Sequence, residues 1–166
     1  MFSANTTKDK SLEFQKYQVS NFAEIWECTE TKEKSLHSLV KFMPGETITK
    51  FGFKVCLEKP NYLTVQINDT EHILLSPEFL QYINHSCNPN VFFDTTKMLI
   101  TCLRKIEIGE AMTFFYPSTE WSMAQEFNCL CGTEKCLGKI QGAAHLSSDI
   151  LQNYQLTEYI QKKIAK

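Results

Sequence analysis

Between Asn84 and Asn90 the chain reads Asn-His-Ser-Cys-Asn-Pro-Asn, which sets three amides, an imidazole, a hydroxyl, a thiol and a proline side by side. Regular helices and strands do not carry this mixture, because Asn and Pro favour turns and caps. Apolar residues lead in (Phe79, Leu80, Tyr82, Ile83) and out (Val91, Phe92, Phe93). A polar knot between two buried runs is either an Asx-rich turn capping a helix or a site, since buried polar groups need partners. A second stretch, Cys129-x-Cys131-x4-Cys136, concentrates three thiols in eight residues. Thiolates at that density favour zinc, and a structural zinc ion takes four ligands in a tetrahedron. On spacing alone the fourth ligand is open among Cys28, Cys56, Cys87 and Cys102. Gly132 and Gly138 supply the freedom a tight knuckle needs, and Lys135 and Lys139 would offset its negative charge.

The elements that must position these stretches are short. Phe14–Cys28 alternates apolar and polar residues and predicts one or two strands. Thr29–Ser35 reads as a charged, solvent-facing turn. Leu36–Phe42, Thr47–Phe53, Val55–Leu57, Leu63–Ile67 and His72–Leu75 read as strands, with a turn at Pro44-Gly45-Glu46. Pro77–Tyr82 predicts a short helix capped by Ser76. Val91–Phe93 and Met98–Leu103 predict a hairpin across Asp94–Lys97, and Met112–Phe115 a further strand. Ser147–Ile164 carries apolar residues at near-helical spacing and predicts one or two amphipathic helices. Many short strands and few helices indicate a mostly-β fold.

Composition narrows the function. The 166 residues include 43% hydrophobic residues and 12 Phe, enough for one domain with a real core. A formal net charge of −2 argues against a nucleic-acid arm or an anionic-membrane binder. No apolar run reaches the length of a membrane span, and Met1–Lys10 lacks an apolar signal core. Seven Cys, an odd number, fit metal binding or free buried thiols better than a disulfide framework. The expectation is a cytoplasmic or nuclear protein.

The two odd stretches join in one pattern. Asn84-His85-Ser86-Cys87-Asn88-Pro89-Asn90 resembles the Asn-His-Ser-Cys-x-Pro-Asn signature of SET-domain protein lysine methyltransferases. Gly109-Glu110-Ala111-Met112-Thr113-Phe114-Phe115-Tyr116 resembles that family's Gly-Glu-Glu-Leu-Thr-Phe-Asp-Tyr motif. Phe127-x-Cys129-x-Cys131-Gly132-x3-Cys136-x-Gly138 resembles its post-SET zinc knuckle. The resemblance implies a β-clip fold of several small sheets, with a pseudoknot that sets the first two motifs side by side. It implies a polar leader over 1–13, a SET domain over 14–122, a zinc-binding segment over 123–142 and a helical extension over 143–166. It also implies that Cys87 joins Cys129, Cys131 and Cys136 around one structural zinc ion.

By the same resemblance Asn84 and His85 contact S-adenosylmethionine, with Phe127 near its adenine and the backbone at Leu130 and residue Ser35 on the cofactor side. Tyr116 stands at the inner end of a lysine channel, and with Asn84 and His85 forms the implied catalytic set. Phe114 and Tyr82 line that channel; a Phe at 114 implies room for more than one methyl. Tyr62 and Tyr17 are candidates for a second channel tyrosine. Methyl transfer to an amine needs a neutral nitrogen, which an apolar channel favours by desolvation, and in-line alignment. The implied partner is a protein lysine, on a histone or another protein, with a small-molecule substrate as the alternative.

Three departures are visible. The family's Gly-x-Gly-Leu-Phe-Ala is replaced by Glu33-Lys34-Ser35-Leu36-His37-Ser38, its signature Arg by Gln81, and its Asp or Asn before the Tyr by Phe115. His37 is expected at the surface, and His72 as a strand residue rather than a ligand. The lost glycines motivate a rival reading: a SET fold without methyl transfer, reused as a small-molecule biosynthetic catalyst or a binding module.

Overall fold

Strand alternation in the first third of the chain sets up the first sheet. In the computed structural model, which describes residues 12–166, β1 (Phe14–Gln18) and β2 (Ala23–Cys28) pair antiparallel, and β2 pairs with β3 (Lys34–Ser38). The expected leader falls mainly on residues 1–11, outside the described residues. The charged turn is shorter than its composition suggests: Lys34 and Ser35 belong to β3, because pairing with Glu27 and Trp26 of β2 outweighs their polarity. The expected strand Leu36–Phe42 accordingly ends at Ser38, and Phe42 reaches Ile106 by an isolated bridge.

Thr47–Phe53 does not form one strand. Phe51 turns into the core at 6% exposure, and its N–H donates to the Met98 carbonyl. That inward step divides the segment into β4 (Thr47–Lys50) and β5 (Gly52–Leu57), which join different sheets. After β6 (Thr64–Gln66), β7 (His72–Ser76) is the central strand of the order β5-β7-β6. Ser76 is occupied in β7 opposite Gly52, so it does not cap the next element. Pro77 starts a 3-10 turn over Glu78–Tyr82 with no side-chain cap.

β8 (Asn84–His85) follows directly. The hairpin forms as expected, β9 (Val91–Asp94) against β10 (Leu99–Cys102), with Asp94 Oδ1 accepting the Thr96 and Lys97 N–H groups. β10 also pairs with β4. The expected strand Met112–Phe115 shrinks to β11 (Thr113–Phe114), which pairs parallel with β8: Thr113 opposite Asn84, Phe114 opposite His85. Paired residues 29 apart in sequence (113 − 84) thus share one small sheet, the arrangement the pseudoknot expectation required. β12 (Phe127–Asn128) and β13 (Lys139–Ile140) bracket the cysteines. α1 (Ser148–Leu151) and α2 (Glu158–Ile164) each carry a hydroxyl cap, Ser147 and Thr157.

The fold is mostly β, with several small sheets around one apolar cluster that includes Leu36, Ile73, Phe93, Ile100 and Ile106. A second cluster, Phe115, Ala143, Leu151 and Ile160, attaches the C-terminal helices behind the polar motif. Gly142 makes that attachment possible. Its φ is +113°, and a Cβ there would lie 2.6 Å from the Trp121 carbonyl oxygen, the same oxygen that accepts the Ala144 N–H. Gly142→Ala is expected to cost about 1–3 kcal/mol, read as a lowered urea midpoint; an unchanged midpoint would contradict this packing.

Candidate functional site

The site begins at the β8–β11 pairing. His85 has both ring nitrogens engaged: Nδ1 accepts the Tyr116 N–H at 3.2 Å, and Nε2 lies 3.3 Å from Cys87 Sγ. Because Nδ1 accepts a backbone N–H, the proton sits on Nε2 and is donated to the sulfur. The ring packs 5.2–5.8 Å from Phe115, Tyr116 and Phe127. Burial holds His85 neutral by lowering its pKa to about 4. What His85 offers a ligand is therefore ring edge and backbone. Asn84 is exposed, and its Nδ2 donates to the Lys34 carbonyl at 2.8 Å, tying β8 to the start of β3.

Cys87 points the other way. It is fully buried, and its Sγ lies 3.8 Å from that of Cys129. The sulfurs of Cys87, Cys129, Cys131 and Cys136 all fall within 4.8 Å of one another. Tetrahedral Zn–S bonds of about 2.3 Å put sulfurs about 3.8 Å apart, so the donor set and its spacing fit a zinc ion. Cys28, Cys56 and Cys102 lie outside the cluster. Backbone N–H groups already face two of the sulfurs: Leu137 toward Cys87 and Cys131 toward Cys129, both at 3.4 Å. Burial pushes the Cys87 and Cys129 thiols up, while at Cys131 hydrogen bonds from Thr133 overcome burial and hold it down at about 6. Of the two lysines expected to offset the cluster, Lys139 instead pairs with Glu126 at 2.6 Å.

Beside the thiols lies a cleft of about 700 Å³. One side is formed by Lys34, Asn84, His85 and the run Phe127–Cys131; Leu130 is 94% exposed on its rim. The other is apolar, with Val65, Leu75, Leu80 and Phe114, and Tyr116 also lines the cleft. The Phe114 and Tyr116 rings are 4.7 Å apart. Burial raises the Tyr116 phenol to about 12, so it stays protonated at neutral pH. The cleft therefore joins an apolar slot to a rim of amide, imidazole and backbone groups beside the thiols.

Not every expected site residue meets there. Ser35 lines a smaller hollow of about 190 Å³ that shares Glu33, Lys34 and Asn84 with the cleft, and its hydroxyl bonds His37 Nε2 at 2.9 Å. Tyr82 lies outside the lining, with Lys34 Nζ 5.4 Å from its ring centre. Tyr62 lines the cleft but is 79% exposed, whereas Tyr17 sits on exposed β1 with its hydroxyl on Gln15. His37 is not a surface residue. It is 8% exposed, stacks on Trp26 at 3.8 Å and donates from Nδ1 to the Gly109 carbonyl at 2.9 Å. β3 here is a packed strand, and the imidazole bridges it to the Gly109 turn. His72 is a buried strand residue, as expected.

The roles of Tyr154 and Glu120 escaped sequence reading. Phe115 stacks on Tyr154 at 3.6 Å, and Tyr154 Oη donates to the Cys87 carbonyl at 2.8 Å, so the C-terminal segment buttresses the cluster. Glu120 lines the cleft yet is only 7% exposed. Nothing in Pro-Ser-Thr-Glu-Trp marks that Glu as buried.

Comparison with known proteins bears on this geometry. The SET domain family profile matches residues 6–117. Methyltransferase flvH of Aspergillus flavus is 37% identical over 133 residues, covering 79% of this chain and 74% of that protein. An H3 lysine-36 specific histone-lysine N-methyltransferase of Candida albicans is 34% identical over 84 residues, 47% of this chain but 10% of that protein. The crystal structure of KRYPTONITE in complex with mCHH DNA, H3(1-15) peptide and SAH superposes with a TM-score of 0.54 at 18% identity, over 74% of this chain and 30% of that one. At that identity the likeness speaks for the fold. Among the described residues no helix is long and apolar enough to cross a membrane.

Proposed function

The chain belongs to the SET-domain methyltransferase family, and on that premise we propose that it transfers methyl groups from S-adenosylmethionine to an amine, with a protein lysine as the first-choice acceptor. The observation that carries this reading is the cleft, where Asn84, His85, Tyr116, Phe127 and Leu130 converge beside an apolar slot. S-adenosylmethionine supplies an electrophilic methyl on a sulfonium sulfur. Asn84, the β8 backbone and Phe127 would hold it on the rim side. Cys87, Cys129, Cys131 and Cys136 would hold one structural zinc ion, which orders Phe127–Cys131 as one wall. Such thiols persist in reducing compartments, which supports a cytoplasmic or nuclear site of action.

On the other side Val65, Leu75, Leu80 and Phe114 would exclude water from the acceptor nitrogen and so favour its neutral form. The Tyr116 phenol, kept protonated, can orient the methyl through weak contacts. Of the residues at the two glycine positions, Glu33 lines the cleft and Ser35 lines the adjoining hollow with its hydroxyl on His37 Nε2, and a cleft of about 700 Å³ remains beside them. Residues 14–122 would then form the catalytic unit, with 123–142 as its metal-bound wall and 143–166 as a helical buttress.

A small-molecule amine is the second reading. It is favoured by the relative that shares most of its length with this chain, which is named a methyltransferase without mention of a histone. Calorimetric titration of zinc-loaded protein with S-adenosylhomocysteine tests the common part. Binding is expected in the wild type and at least tenfold weaker in Asn84→Ala, with an unchanged melt as the control for folding. No heat at saturating ligand would end the methyltransferase reading. Labelled-methyl transfer to histone H3, against free lysine and simple amines, then separates the two acceptors.

A further inference from the structure

The cleft holds a buried acid that the reading above does not use. Glu120 follows Tyr116 by four residues, and its N–H donates to the Tyr116 carbonyl at 3.0 Å. Its Oε1 is satisfied, accepting the Gln66 N–H at 2.8 Å and the Thr119 hydroxyl at 3.0 Å. Its second oxygen makes no hydrogen bond, and no ion pair includes it among the described residues. Glu120 nevertheless lines the cleft, as do Val65 and Phe114.

A buried carboxylate with no cation is costly. Burial accordingly pushes its pKa up to about 7, outweighing the hydrogen bonds from the Gln66 N–H and the Thr119 hydroxyl, which lower it. Tyr116 stays protonated beside it, and Tyr159 from α2 is likewise held protonated and bonded to Asp69. Lys163, 5.3 Å from the centre of the neighbouring Trp121 ring, pairs with Asp69 at 2.8 Å. The Gln66 side chain is spent too, donating to Asn68 and Tyr159 and accepting from Trp121. What the position lacks is a cation delivered from the cleft.

We propose that Glu120 is the amine-receiving residue of this site: its free carboxylate oxygen binds the ammonium of the incoming methyl acceptor and takes one of its protons. In that step an N–H bond of the ammonium breaks, an O–H bond forms on the carboxylate, and nitrogen keeps the electron pair with which it will attack. A carboxyl that titrates near neutrality is matched to this exchange, as a fully solvated Glu is not. The acceptor is then an amine that enters as a cation, which excludes thiols, alcohols and carboxylates. The inference rests on the methyl-transfer reading for its role in catalysis, but not for the cation site itself.

The test uses n-butylammonium chloride as probe, titrated into the zinc-loaded full chain with and without S-adenosylhomocysteine, at about pH 8 and about pH 5.5. The wild type is expected to bind at the higher pH and at least tenfold more weakly at the lower. Glu120→Gln keeps the size and the Oε1 acceptor. It is expected to lose at least tenfold at the higher pH and to show no pH dependence; Glu120→Asp should retain the dependence. Equal binding by wild type and Glu120→Gln overturns the proposal. Should the variant lose its zinc or its fold, NMR of wild-type protein labelled at glutamate carboxyls decides: the Glu120 titration is expected near neutrality and displaced downward by the probe, and an undisplaced titration overturns the proposal. If S-adenosylhomocysteine fails to bind while the probe still needs Glu120, the methyl-transfer reading falls and the cation site stands.

Discussion

Cys87→Ser is expected to abolish stoichiometric zinc binding and, with it, protection of residues 123–142 against hydrogen exchange. The knuckle has little else to hold it. β12 and β13 are two residues each, and Gly132 and Gly138 adopt positive φ where glycine pays the least strain but restricts its neighbours least. Its apolar support is a small cluster of Cys87, Cys129 and Ile140 with partly buried Tyr116, Met123, Phe127 and Leu137. Structural zinc binding in small sites is worth about 10–16 kcal/mol at neutral pH, and that binding energy is local folding energy. Cys87 is the ligand that comes from outside the knuckle, so its loss cuts the one metal bond that joins the knuckle to β8. Metal content by mass spectrometry should fall from about one ion per chain, and S-adenosylhomocysteine binding should fall with it, because Phe127–Cys131 form one wall of the cleft. Cys56→Ser, on exposed β5, is the matched control and should keep its metal. Full zinc content in Cys87→Ser, or none in the wild type, would refute the four-thiol centre.

Glu120→Gln is expected to stabilise the fold above neutral pH while weakening amine binding. The folded protein holds this carboxyl at about 7, against an ordinary 4.5. Between those values the native state keeps a proton that the unfolded chain has released. The resulting stability is fully present below 4.5 and is lost as pH rises through 7. A displacement of this size corresponds to about 3 kcal/mol. The amide has no proton to lose, so the stability of the variant relative to wild type should climb by about that amount from acid to mildly alkaline pH. Urea midpoints collected across the range check it, and parallel curves for the two proteins would show that Glu120 is not buried as a charge. A residue that destabilises the empty protein at working pH, yet is positioned to meet a cation, is the trade-off expected of a functional group.

Much of the four-thiol cluster was legible in the sequence. Cys129, Cys131 and Cys136 sit within a single turn of chain, so their spacing constrains their geometry directly. Cys87 was legible only through the family signature, since nothing local says that a thiol forty-two residues upstream reaches the same point. The hairpin at Asp94–Lys97 and the helical spacing after Ser147 were legible because each is decided by neighbours in sequence. The division of Thr47–Phe53 was not. It depends on Phe51 finding Phe93 at 5.5 Å in the core, and a run of alternating residues does not announce which one will break ranks. His37 read as surface because a polar residue in a charged stretch usually is. It is buried because Trp26 and the Gly109 carbonyl, both distant in sequence, satisfy its ring face and its N–H.

By itself, the sequence determined the chemical inventory: a mostly-β chain, one cysteine knuckle, and a polar signature with the side chains of a methyl-transfer site. Tertiary structure alone decided how these are shared out. The parallel pairing of β8 with β11 hands His85 to Tyr116 and Cys87 to the knuckle. Packing of the segment after Tyr116 against Gln66 carries Glu120, unremarkable in sequence, to the wall of the cleft without a counter-ion. The physical reason is that residue type and local spacing set what a group can do, whereas burial and the partners available to it are properties of contacts between distant segments, and these set its charge and its role.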